Sequence, residues 1–473
     1  MRVWRAPGIK APGPDDPPDY VPLEGTEDPS KYRPRGYHPI SIGDVVADRY
    51  AIVHKLGYGG WSTIWLARDT TLGRYVAIKI ALADSGSREV ETLRELGSPL
   101  TATITTTHRG QSAIPKVLDS FTIHGPNGTH NAIVTRPTMV SVADAKDGSD
   151  LRIFQLSVAR AIAAQLAQAV AYIHNRGIVH GDLHTGNILL HPAITLDSLT
   201  PEQLYERYGK PDPQPVQCLD GRALPKGVPA HCYMPVWLGR PSEDISLSES
   251  RILLTDFGVA FKPSEEPRTS YPIPLMLAPP EKYFIPDQPA SFVSDIWSFA
   301  CTIWSIVAQG DLFAAYWEDV LIYDYIEVLG NLPSEWWERW EGRSEWFDEN
   351  GNMKDWEDPP KTLADRLEEW IQKPRRNAGM ETMGDEEKEA FLDLLRSMLK
   401  YWPNERISAD EVLESEWMRK WAVPELDSIQ NLNVPVGNER WILAARSTRQ
   451  QAPDYLSAYN QLSQLPAQAR SLH

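Results

Sequence analysis

The sequence has almost no cysteine, with only Cys218, Cys232 and Cys301 among 473 residues. Three thiols cannot build a disulfide framework, which excludes small cross-linked secreted scaffolds and points to a reducing compartment, cytoplasmic or nuclear. Long hydrophobic runs are also missing. None approaches the roughly 18 residues that a membrane span needs, so no membrane partner is expected. The first twenty residues, MRVWRAPGIKAPGPDDPPDY, are too rich in proline and too weakly apolar for a signal peptide. Without an export signal, Asn127-Gly128-Thr129 reads as a turn and not as a glycosylation acceptor. Basic charge is the third deficit: 47 lysines and arginines face 64 acidic residues, a net charge of -17. That balance argues against direct nucleic-acid binding and suits basic partners.

What is present is an ordinary globular composition, 42% hydrophobic and 23% charged. Residues 1–36 are rich in proline and charge and read as a flexible extension. Short β-type runs follow at 49–53, 62–67 and 75–80, separated by turn signals at 57–60 and 70–73. A helix is predicted over about 87–96, with further strands at 114–123 and 131–136. After Thr138 the pattern is mainly helical, clearest over 154–175. Residues 191–250 carry many prolines and break it, as an insert does. Helices resume near Val293 and run to about Trp421, and 422–473 read as a tail packed on the body or partly disordered. No internal repeat is present.

The chemistry is concentrated in four stretches. Leu56-Gly57-Tyr58-Gly59-Gly60-Trp61-Ser62 lies between two predicted strands, where glycines let backbone N–H groups approach phosphates. The next strand carries Val76-Ala77-Ile78-Lys79, and a lysine on an apolar strand is costly to bury without a partner. Glu89 and Glu91 on the following helix are both candidates for that partner. Glu89 is favoured because Leu93 lies one turn later on its face. His180-Gly181-Asp182-Leu183-His184-Thr185-Gly186-Asn187 spaces an aspartate and an asparagine as a base and a metal ligand for phosphoryl transfer. Thr255-Asp256-Phe257-Gly258 ends an apolar run with an aspartate that can ligate Mg²⁺. Pro280-Glu281, Ser294-Asp295-Ile296-Trp297 and Pro403 to Arg406 follow, with Arg406 expected as the buried partner of Glu281.

In this order the motifs resemble the eukaryotic protein kinases over roughly residues 37–421. Glu27-Asp28-Pro29, Gly36-Tyr37-His38, Ile42-Gly43-Asp44 and Ser62-Thr63-Ile64-Trp65-Leu66 narrow the resemblance to serine/arginine-protein kinases, in particular the related enzymes of filamentous fungi. The resemblance implies an α+β bilobal fold. A small β-rich N-lobe would cover 37–136 and a larger helical C-lobe 137–421, with the insert before the D-F-G strand. It implies ATP and Mg²⁺ as cofactors and a monomer acting on serines of basic, Arg-rich protein substrates. Asp182 would accept the hydroxyl proton, Asn187 and Asp256 would hold Mg²⁺, and Lys79 with Glu89 would fix the phosphates. Leu56, Gly57, Gly59, Gly60, Ile64 and Ala77 would enclose the nucleotide, with Thr135 as gatekeeper, Arg136 to Thr138 as hinge and Leu189 beneath adenine. An acidic stretch, 335–369, holds 12 acidic and 5 basic residues interleaved with Trp336, Trp337, Trp340, Trp346 and Trp356. It would serve as the docking surface, or be a plain solvated acidic face.

The chain departs from the family at two positions. His184 stands where a lysine contacts the transferred phosphate, and Pro274 where a substrate-loop threonine is usual. Small-molecule kinases with an H-G-D-L-H loop share such a histidine, so a small-molecule phosphotransferase and an ATP-binding scaffold are the alternative classes. Gly181 also replaces the arginine that receives an activation-loop phosphate, so activity independent of that phosphorylation is expected.

Overall fold

The computed structural model describes residues 19–98, 109–191, 196–269, 273–349, 351–354 and 361–431. Six antiparallel strands form the first lobe: β1 (Val45–Val46), β2 (Tyr50–Gly59), β3 (Ser62–Asp69), β4 (Arg74–Ala83), β5 (Asp119–Gly125) and β6 (Gly128–Thr135). Their order is β1-β2-β3-β4-β6-β5. Alternate residues of a strand face opposite sides, and the register uses both. Ile64 lies opposite Lys79, and Ala77 opposite Thr135, so these side chains share one face. Trp65, Val76, Ile78, Ile80 and Val134 are buried together on the other. α1 (Arg88–Gly97) buries Val90, Leu93 and Leu96, which recur at helical spacing. The predicted strand at 114–123 begins only at Asp119. Pro115, which has no N–H to give a ladder, sits in its expected first half.

The helical body is built on α2 (Val142–Asp147) and α3 (Leu156–Asn175). α3 corrects the reading that no stretch reaches span length. It is long and apolar enough to cross a membrane, but 83% of the qualifying window is buried inside the body. Arg160, Gln165 and Gln168 interrupt its apolar letters without breaking its role as a core helix. β7 (Ile188–Leu190) leads into α4 (Pro201–Tyr208), β8 (Pro213–Pro215) and β9 (His231–Tyr233), then β10 (Ile252–Leu254), which pairs back on β7. The stretch between β7 and β10 packs on the sheet: Leu196, Leu204, Val236 and Leu238 cluster with Val53, Leu66 and Tyr75.

The expected flexible extension over 1–36 is corrected from Asp19 onward; residues 1–18 lie outside the described residues. Tyr20 bridges to Cys218, and Tyr32 and Tyr37 are buried with Val216 and Cys232. Lys55 and Glu27 form an ion pair at 2.6 Å with both side chains fully buried, and the lysine lies over the Trp65 ring. These partners are distant in sequence, so the local composition hides them. Asn127 is 3% exposed and donates from Nδ2 to Tyr37 O (2.7 Å) and Gly227 O (2.8 Å), a structural tie in keeping with the turn reading.

α5 (Glu281–Phe284), α6 (Phe292–Val307) and α7 (Glu318–Leu329) continue the body. Trp336 and Trp340 are buried with Phe284, Ile322 and Phe347, with Trp337 and Trp346 packed against them. These four tryptophans are therefore core, and Trp356 lies outside the described residues. The final described helix, Val423–Asn431, buries Leu426 and Ile429 in the main core, while 432–473 lie outside the described residues.

A pH dependence follows from two neighbouring imidazoles, His38 and His130 of β6. The His38 and His130 rings are 4.9 Å apart. Burial, then His130, pushes His38 down to about 4, with Asp44 pulling weakly the other way. Burial also lowers His130, which donates from Nδ1 to Ala81 O, against a weak pull from Asp84. His38 takes up its proton near pH 6.5 in the unfolded chain and only nearer pH 4 in the folded one, and His130 is shifted in the same direction, so stability falls as pH drops below about 6.5. Denaturant midpoints at pH 7 and 5 should show this loss, and His38→Phe should shrink it. An unchanged difference would mean that His38 does not titrate as described.

Candidate active site

The shared face of β3, β4 and β6 places Lys79 toward α1. Lys79 Nζ lies 2.8 Å from Glu89 Oε1 and 2.8 Å from Asp256 Oδ1. Of the two candidate glutamates it is Glu89 that pairs, while Glu91 accepts from the Ser87 hydroxyl at the helix start. Burial works against the lysine's charge, but Glu89 and Asp256 outweigh it and hold the ammonium above its ordinary range. Burial and the nearby Asp256 raise Glu89 in spite of Lys79. Asp256 itself is lowered, because Lys79 overcomes the effect of burial. It adopts φ +65°, a left-handed conformation uncommon for a residue with a side chain.

The loop between α3 and β7 supplies the second carboxylate. Asn187 Nδ2 donates to Asp182 O (2.9 Å) and to Asp182 Oδ2 (3.2 Å). That use of Nδ2 leaves the Asn187 side-chain carbonyl as an oxygen ligand for a hard cation. Thr255 N–H donates to Asn187 O at 2.8 Å, which joins this loop to the strand end carrying Asp256. Asp295, at the start of α6, holds the loop backbone by accepting from His180 N (2.7 Å) and Gly181 N (2.9 Å). Gly181 has φ +78°, where glycine is favoured. His180 is buried and its pKa is lowered by that burial; its Nε2 meets Thr255 O at 3.0 Å and its ring stands edge-on to Phe257.

His184 sits beside the carboxylate. Its Nδ1 accepts from Gly186 N (3.1 Å), so the neutral ring carries its proton on Nε2, which lies 3.6 Å from Asp182 Oδ2. Both Asn187 and His184 thus face Oδ2. Pro274 precedes the short turn Leu275–Leu277.

An added Cβ at Gly57, Gly59 or Gly60 would meet nothing within 4 Å. Protein packing does not demand glycine there, and the space suits a close ligand. Leu56 is half-buried against the Val53 and Leu66 cluster. Thr135 ends β6, Arg136 is exposed and Thr138 half-buried in the connection to α2. That connection pairs with β7 through Met139 N to Leu190 O (2.9 Å), beside half-buried Leu189.

Four contacts carry no sequence signal of their own. Tyr37 donates its hydroxyl to Gly59 O at 2.5 Å. Glu266, between D-F-G and Pro280, is bracketed by Arg88 of α1 (2.6 Å) and Arg268 (3.0 Å). Lys262 pairs with Glu95 of α1 at 2.9 Å. Among the described residues, the ion pairs Arg88–Glu266 and Lys262–Glu95 tie this segment to α1. Ser270 and Tyr271 of the segment lie outside the described residues.

A protein kinase domain family model matches residues 50–196 and 242–418. A serine/threonine protein kinase of Aspergillus fumigatus is 26% identical over 394 residues, 81% of this chain and 87% of that protein. The serine/threonine-protein kinase SRPK of Physarum polycephalum is 27% identical over 429 residues, 84% and 91% of the two chains. SRSF protein kinase 3 of Homo sapiens is 32% identical over 170 residues, 35% of this chain and 30% of that protein. The matched residues include the paired Lys79 and Glu89, Asp182, Asp256 and the loop anchored by Asp295. This chain belongs to the protein kinase family.

Proposed function

We infer that this protein kinase transfers the γ-phosphoryl group of ATP to serine or threonine hydroxyls of basic, arginine- and serine-rich protein segments. The observation that carries the transfer is the joining of Lys79, Glu89 and Asp256 in one ion network, linked through Thr255 to Asn187 and Asp182. Lys79, oriented by Glu89, holds phosphate oxygens. Asp182 takes the substrate hydroxyl proton on Oδ1, because Oδ2 already faces Asn187 and His184. The donor set fits Mg²⁺: Asp256 and Asn187 offer hard oxygen ligands, and the ion, when bound, neutralises phosphate charge. Leu56, Ile64, Ala77, Thr135 and Leu189 wall the adenine, with Arg136 and Thr138 at the hinge.

The substrate class rests on the resemblance to serine/arginine-protein kinases, on relatives named SRPK and SRSF protein kinase 3, and on charge. Glu335, Glu338, Glu341, Glu345, Asp348 and Glu349 are all exposed around the tryptophan core. The chain acts as a monomer, in cytoplasm or nucleus, without binding nucleic acid or membrane itself. Residues 191–250 are an insert between the catalytic loop and the D-F-G strand; the family match leaves out 197–241 of them.

A panel of Arg-Ser peptides, neutral peptides, acidic peptides and amino-alcohols tests this reading. Arg-Ser peptides should give the highest kcat/KM, with KM rising clearly between 50 and 300 mM salt as exposed charges are screened within about 10 Å. Equal turnover of acidic peptides, or turnover of an amino-alcohol alone, would overturn it.

A further inference from the structure

The hydroxyl of Tyr37 reaches 22 residues along the chain to the carbonyl of Gly59, inside the glycine loop. Tyr37 is 1% exposed and fixed on several sides. Its ring stands edge-on to Tyr32 at 5.4 Å, and its own carbonyl accepts from Asn127. Gly36 before it cannot bear a side chain, since a Cβ would lie 1.9 Å from Lys31 O.

The direction of approach matters. Lys55 lies over the Trp65 ring and pairs with Glu27, which also accepts from the Tyr32 hydroxyl. Trp65 belongs to the sheet face opposite Lys79. The segment carrying Tyr37 therefore meets the loop from the side away from Lys79. No cis peptide bond is present among the described residues, and in a trans peptide the C=O and the following N–H point opposite ways. A Gly59 carbonyl held on the outer side sets the Gly60 N–H toward the Lys79 side. The far end of the turn is fixed too, by Leu82 N–H donating to Trp61 O at 2.9 Å.

We infer that Tyr37 is a positioning residue for nucleotide binding: its hydroxyl holds the Gly59–Gly60 peptide so that the Gly60 N–H faces the phosphates. The inference rests on the proposed use of Mg-ATP and adds to it a residue outside the span that the family model matches. Such a role separates binding from chemistry, because the loop peptide meets phosphate oxygens while Asp182 meets the hydroxyl.

Tyr37→Phe removes only the oxygen and keeps the ring against Tyr32, so the fold should stand. Loss of one well-placed hydrogen bond should raise the Kd of the full-length protein for the non-hydrolysable β,γ-imido analogue of ATP with Mg²⁺ by about fivefold to tenfold. KM for ATP should rise in step, with kcat within about twofold. Amide hydrogen exchange should quicken at 59–62 while the rest of β2 and β3 keeps its protection. A Kd within twofold of wild type would overturn the inference. So would a raised Kd accompanied by loss of protection throughout β2 and β3, which marks a purely structural role. Wild-type protein that binds no Mg-ATP analogue would instead remove the proposed function beneath it.

Discussion

Asp182→Ala is expected to lower kcat by about a thousandfold while leaving the affinity for Mg-ATP within about twofold. The split follows from where the contacts go. Asp182 has its Oδ2 beside Asn187 Nδ2 and His184 Nε2, and its carboxylate makes no ion pair with Lys79, which is engaged by Glu89 and Asp256. In the proposed mechanism, removing the carboxylate takes away the acceptor for the hydroxyl proton and leaves Asp256 and Asn187 free to hold Mg²⁺. Lys79→Met should behave differently. It strips the shared partner from two carboxylates, so nucleotide affinity should fall along with kcat. Single-turnover kinetics with separate titration of an ATP analogue distinguishes the two. An Asp182→Ala protein that retained a tenth of wild-type kcat would place the base elsewhere.

The largest effect on stability is expected at Arg406. Its guanidinium is fully buried and donates to Glu281 Oε1 (2.9 Å) and Oε2 (2.5 Å), to the carbonyls of Lys400, Val293 and Tyr401, and lies 5.0 Å from the Trp297 ring centroid. Glu281 has one further partner, the Ser294 hydroxyl at 3.3 Å. Arg406→Leu leaves a buried carboxylate without its countercharge and three carbonyls without donors, a cost of about 3–5 kcal/mol. Typical folding stabilities are about 5–15 kcal/mol, so the variant should be marginal. The double variant Glu281→Leu/Arg406→Leu should cost clearly less than the sum of the two single changes, since it removes both buried charges together. Urea midpoints of the four proteins complete the cycle. Additive losses would show that the pair is not coupled.

Much of this site was legible because its residues are read from short spacings. Lys79 on its strand, Asp182 and Asn187 five apart, and Asp256 before Phe257 each mark themselves, and the structure joins them. The choice between Glu89 and Glu91 needed one helix rotation that the sequence favoured through Leu93. The pairing of Glu281 with Arg406 was legible only through the order of motifs. Composition misled where tertiary partners dominate: the proline-rich stretch after Asp19 is held by Tyr32, Tyr37 and the Glu27–Lys55 pair. The tryptophans of 335–369 read as a decorated acidic surface, but Trp336 and Trp340 are buried, while the glutamates and aspartates around them, together with Arg339, face solvent. Contacts such as Tyr37 to Gly59 or Glu266 to Arg88 have no local pattern, because nothing in a spacing says which distant backbone or side chain will be met.

The central claim is that the clustered Lys79, Asp182, Asn187 and Asp256 carry out phosphoryl transfer onto a protein hydroxyl. The most direct test incubates purified wild-type and Asp182→Ala protein with Mg-ATP and an Arg-Ser peptide, and follows peptide mass and phosphosite by mass spectrometry. Wild-type protein should add increments of about 80 Da on serine, one per phosphoryl group transferred, and the variant should add almost none. Binding of Mg-ATP with no phosphopeptide from the wild-type protein would contradict the claim and leave a scaffold.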